Sequence, residues 1–119
     1  MPIQLTTQQG EKLLQTKEIP WQVYPRPQMR RDSYVNLNGQ WDFTVTQSPA
    51  LPDCYDRQIL VPFCPESLLS GVQKHFSEGA PLTYRRKFTL PEGFHKGKVL
   101  LHIGAADQKA EVYVNQVHL

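Results

Sequence analysis

Between residues 82 and 115 apolar and polar side chains alternate in three segments, broken by turn-rich stretches at 91–97 and 104–109. Consecutive antiparallel strands are written this way, so this region is expected to organise the sheet. Strand side chains repeat with period two, which puts Leu82, Tyr84, Phe88 and Leu90 on one face and Thr83, Arg85, Lys87 and Thr89 on the other. Arg86 falls in register with the apolar face. An unpaired buried charge is very costly, so Arg86 is expected either to reach water or to form a structural ion pair with Glu66, Asp107 or Asp42. Arg86→Met should then cost more stability than Arg85→Met. Further on, Val99, Leu101 and Ile103 alternate with His102, and Ala110, Val112 and Val114 alternate with Glu111 and Tyr113. The chain then turns at Asn115-Gln116 into residues 117–119. Gln116 lacks the freedom of glycine where a tight hairpin wants positive φ, and residues 111–115 are expected to keep an unpaired edge.

Earlier in the chain, Asn38-Gly39 supplies a turn signal, after which Trp41, Phe43 and Val45 alternate with Asp42, Thr44 and Thr46. Ile59, Val61 and Phe63 alternate again. Pro62 and Pro65 make that a short or edge strand. Residues 64–81 have no convincing period and form a long loop, a type that often binds or contacts another domain, with Glu66 and Ser67 as its polar candidates. Residues 1–20 are polar and mixed. A short helix over 6–14 is conceivable, but Gly10 interrupts it, and the segment reads as an arm laid on the domain or left loose. Pro25 and Pro27 favour extended chain. The remainder, 21–119, reads as one all-β domain, an antiparallel β-sandwich or jelly roll.

At 119 residues the chain is one domain's worth. A formal charge of +2, spread along the sequence, gives no footprint for nucleic acid, and the cluster of Arg26, Arg30 and Arg31 lacks aromatic interleaving. No basic leader with an apolar core and no membrane-length apolar run is present, so the cytoplasm is the expected address. Cys54 and Cys64 lack a metal-binding or CxxC spacing; two reduced, partly buried thiols are expected, and the cytoplasmic address disfavours a disulfide between them. His75, His95, His102 and His118 are scattered, so no metal and no cofactor is called for.

The succession YPRPQMRRDSYVNLNGQWDF, then VPFCPES, then YRRKFTLP with GKVLLHIGAADQKAEVYVN resembles the N-terminal sugar-binding domain of family 2 glycoside hydrolases, the β-galactosidase and β-glucuronidase type. Single pieces are weak, but their order and spacing over about residues 21–119 are specific. The resemblance implies a jelly roll, incomplete at its C-terminal side, beside an immunoglobulin-like domain and a TIM barrel acting on a carbohydrate substrate. The barrel would hold the two glutamates of a retaining mechanism, which needs carboxyl groups about 5 to 5.5 Å apart. None of the eleven acids here inherits that role, so the chain itself is expected to be inactive, with no catalytic residue and none assigned to substrate. Glu66 and Ser67 match the motif's Glu-Ser and are expected to fix the loop or meet the neighbouring domain.

Two departures stand out. Asn115-Gln116 replaces the family's usual Asn-Gly, and the family continues past the equivalent of Leu119 into further strands. An open edge would then favour self-association with another copy. Two other functional classes stay open: a free-standing carbohydrate-binding module stacking sugars on Trp21, Tyr24, Tyr34 or Tyr55, and a protein-interaction sandwich, which lacks the Cys and Trp spacing of immunoglobulin folds.

Overall fold

In the computed structural model of the chain the described residues are 6–48 and 50–119; the first five residues of the expected N-terminal arm lie outside them. Strand β1, Gly39–Val45, is the centre of the molecule. It pairs antiparallel with β2, Arg57–Val61, on one side and with β3, Leu82–Arg85, on the other, giving the order β2-β1-β3. The register sets Trp41 opposite Ile59, Phe43 opposite Arg57 and Tyr84, and Asp42 opposite Gln58 and Arg85. Period-two geometry therefore gathers Trp41, Phe43, Ile59 and Tyr84 on one face and Gln40, Asp42, Gln58 and Arg85 on the other.

The first face holds the core. Phe43 and Ile59 are fully buried, and the Phe43 ring packs at 5.8 Å from Phe76 and edge-on at 5.1 Å from Tyr84. Burying one such side chain stabilises by about 1.5–3 kcal/mol. Phe76 comes from the loop over 64–81, so that loop covers the sheet. Its fold rests on side-chain to backbone bonds, which leave no hydrophobic period to read. A 3-10 turn, Leu68–Ser70, is capped by Ser67, whose hydroxyl accepts from Ser70 N and donates to Cys64 O at 2.7 Å. The buried Ser70 hydroxyl donates to Ser67 O at 2.8 Å and accepts from Val72 N at 3.1 Å. Pro65 O accepts Lys74 N at 3.0 Å, closing the loop.

Two expectations give way here. Helix α1, Gln8–Thr16, forms within the segment expected to be an arm laid on the domain or left loose, where a helix over 6–14 was only conceivable, and it is capped by the Thr7 hydroxyl accepting from Gly10 N at 3.0 Å. Gly10 does not interrupt it; it is the buried position, where a Cβ would stand 3.2 Å from the capping Thr7 Oγ1 and in ordinary contact, at 3.4 Å, with Leu69 Cδ1 of the loop. Conversely, residues 99–103 form no strand, and β4, Tyr113–Val114, pairs with β5, Val117–His118, only as a two-residue ladder. Asn115 and Gln116 both take positive φ, 49° and 67°, so this hairpin turns tightly without glycine. Between 86 and 111 the backbone makes one turn bond among the described residues, Phe94 N to Pro91 O. Alternation supplies a face, but a ladder needs another segment's N–H and C=O groups alongside, and residues 99–103 have none among the described residues.

In class the protein is therefore all-β, with two small antiparallel sheets and one helix among the described residues. The radius of gyration is 16.2 Å, against about 13.5 Å for a compact domain of this length. Among the described residues no helix is long and apolar enough to cross a membrane.

Candidate functional site

The polar face of the sheet carries the best-defined constellation. Arg85 donates through Nε and Nη2 to the same Asp42 oxygen, Oδ2, at 3.0 and 2.8 Å. Its guanidinium also lies over the Tyr55 ring, 4.1 Å from the centroid. Burial pushes the Tyr55 phenol up, partly offset by the Arg85 charge. Around this pair Gln40, Asp42, Arg85, Arg86 and Lys87 line an open cleft of about 290 Å³.

The carboxylate expected for Arg86 belongs to Arg85. Antiparallel register sets Asp42 opposite Arg85, so Arg86 falls beside the face it does not share with that acid. Arg86 Nη1 donates instead to Leu37 O at 3.1 Å and Asn38 O at 3.0 Å. Its ion pairing is corrected to carbonyl binding: no carboxylate lies within salt-bridge distance of it among the described residues. Gly39 makes this approach feasible. It begins β1 at φ +128°, and a Cβ there would stand 2.9 Å from Arg86 Nη1. Asn38-Gly39, read as a turn signal, marks the place where the arginine crosses the backbone at the start of β1.

Ser67 fixes the 64–81 loop through its cap, while Glu66 is exposed and reaches His75 Nδ1 at 3.4 Å. An exposed pair of this kind contributes about 0–1 kcal/mol. Tyr84, beside this loop, has its phenol raised chiefly by burial and further by Glu66 and Cys64. Cys54 and Cys64 are free thiols, and both are exposed where partial burial was expected: the loops that carry them lie outside the small core around Phe43. His95 and His102 are exposed, His118 packs on Tyr113 at 4.9 Å, and no group of three metal-ligating side chains comes together among the described residues.

Of the aromatic candidates, Trp21 is 67% exposed, with its ring 5.5 Å from Phe63, and Tyr24 meets Tyr34 edge-on at 4.4 Å. Tyr55 already carries Arg85 on its ring. The structure does not bring these four into one platform with Glu66 and Ser67; Trp21 is tied instead to the approach to β1, where Asn36 Nδ2 donates to its carbonyl at 2.9 Å. The Asp42, Arg85 and Tyr55 cluster was missed by sequence reasoning. The shared polar parity of Asp42 and Arg85 was visible, but their adjacency needed the strand register. Compared with known proteins, the chain matches no family model, and no curated protein is significantly similar to it.

Proposed function

We propose that the chain is a non-catalytic N-terminal jelly-roll segment of a cytoplasmic retaining glycoside hydrolase of the β-galactosidase or β-glucuronidase type, buttressing a TIM-barrel active site. The reading rests on the ordered motifs over residues 21–119. One observation carries it further: the chain exposes 10379 Å², against about 6600 Å² for a folded monomer of its mass. Phe88, Leu90, Val99, Leu101 and Ile103 contribute to that excess. A domain whose strands and apolar surface are completed by neighbouring barrel and immunoglobulin-like domains has this character, with large apolar side chains left in solvent. Glu66 and Ser67 serve as loop and interface residues, and the catalytic glutamates belong to the barrel.

The exposed Trp21 ring favours a second reading, a carbohydrate-binding module acting alone. Following tryptophan fluorescence during titration with lactose, galactose and glucuronides separates the two, because only the module gives saturable binding. The hydrolase reading is tested by sequencing the reading frame past the Leu119 codon. An open frame leading to a barrel with two glutamates is expected. A stop codon directly after Leu119 overturns the reading.

A further inference from the structure

Residues 21–36 form a loop tied at both ends and crossed in between. Asn36 Nδ2 donates to Trp21 O at 2.9 Å, and Asn38 Nδ2 donates to Pro20 O at 3.2 Å. Trp21 is held there at φ +48°, a conformation rare for a bulky side chain. The Tyr24 and Tyr34 rings then meet edge-on at 4.4 Å and pinch off residues 25–33. Beyond the pinch a 3-10 turn, Pro27–Met29, is closed by Met29 N donating to Arg26 O at 2.9 Å, and Tyr24 Oη donates to Met29 O at 3.4 Å. A 3-10 turn rises about 2.0 Å per residue, so Arg26 and Arg30, on either side of this one, are kept within roughly 8 Å along its axis.

Arg26, Arg30 and Arg31 are all exposed. The ion pairs and guanidinium hydrogen bonds of the described residues belong instead to Arg57, Arg85 and Arg86. Three arginines against the single acid of the loop, Asp32, leave two positive charges on it. Met29, between Arg26 and Arg30, is 66% exposed, so an aliphatic side chain stands in solvent among the free guanidiniums. Residues 21–36 contain no lysine and no glutamate. Arginine, methionine and aromatic residues are enriched at protein interfaces, where lysine and glutamate are depleted.

We propose that this loop docks an acidic protein segment, whose carboxylates pair with Arg26, Arg30 and Arg31 while an apolar side chain between them packs on Met29. The proposal does not rest on the hydrolase reading. The guanidinium fork matches a carboxylate with two parallel bonds, and a backbone already fixed leaves mainly side-chain freedom to be lost on docking. A nucleic acid fits less well: bases need aromatic faces to stack on, the two tyrosines turn edge to face on each other, and Met29 has no ring.

Fluorescence anisotropy of the full chain at low salt tests this with labelled peptides repeating Glu-Glu-Leu and Glu-Glu-Ser and an oligothymidylate of equal charge. The leucine peptide should bind saturably, about threefold tighter than the serine peptide and about tenfold tighter than the oligothymidylate, and should weaken as salt is added. Changing Arg30→Gln and Arg31→Gln together should weaken it about tenfold with an unchanged urea midpoint, because both residues are exposed. Met29→Ser should remove the preference for leucine over serine. Absence of saturable peptide binding, an unchanged affinity of the arginine variant, no preference for the leucine peptide, or tighter binding of the oligothymidylate would each overturn the proposal.

Discussion

Residues 39–85 and residues 86–119 carry the same kind of alternating pattern and reach different ends. In the first, Phe43 and Ile59 are fully buried beneath Phe76 and Tyr84; in the second, Phe88 stays 51% exposed and the chain is laddered only over Tyr113–Val114 and Val117–His118. Pattern decides which face a strand would bury. Whether there is a strand depends on a neighbour for its backbone groups and a cover for its apolar face, and β1 has two neighbours and a loop above it.

The sharpest break in this contrast is a pair of truncations. Phe43→Ala should lose about 3–5 kcal/mol in urea unfolding, whereas Phe88→Ala should stay within about 0.5 kcal/mol. Equal losses would mean that the second region packs as well as the first. The two adjacent arginines give the next largest effect. Arg86→Met removes charged donors from the Leu37 and Asn38 carbonyls and should cost about 1.5–3 kcal/mol, while Arg85→Met breaks a half-exposed ion pair and should cost about 0–1 kcal/mol. The order first anticipated from the sequence is kept, but for carbonyl binding in place of an ion pair.

How much was legible follows from what each element depends on. β1 and β2 could be read because their alternation ends at prolines and turn residues and both find partners. Helix α1 was half legible: residues 6–14 allowed a short helix, but Gly10 counts against one locally, and its place against the Thr7 cap, with a Cβ 3.2 Å from Thr7 Oγ1, shows only in three dimensions. The long loop was visible as a loop and Ser67 as its fastening, yet the bonds of Ser70 have no sequence signature. The Asp42 and Arg85 pair is half legible: period two places both on the polar side, and only register makes them neighbours.

Smaller effects sharpen the picture at its edges. Gln116→Gly removes a side chain from φ 67°, where a left-handed conformation costs an L-residue roughly 1–2 kcal/mol, and should strengthen the cross-strand contacts of Tyr113 and His118 seen by NMR without moving the urea midpoint of the sheet. Tyr84 gives an alkaline signature. Its folded pKa is raised above 10.0, so the folded state holds its proton longer; the stability this contributes is complete below that value and is lost as pH rises through the folded pKa. Tyr84→Phe should therefore make the loss of stability above pH 10 shallower, and an unchanged alkaline slope would place the effect elsewhere.

The most direct measurement is residue-resolved amide hydrogen exchange on the full chain. Protection should be strongest across Gly39–Val45, Arg57–Val61 and Leu82–Arg85, with rapid exchange from 86 to 112 apart from Phe94, whose amide is bonded to Pro91. Protection over 99–103 equal to that of β1 would show that the second region has found a ladder of its own, and would contradict the contrast on which the account rests.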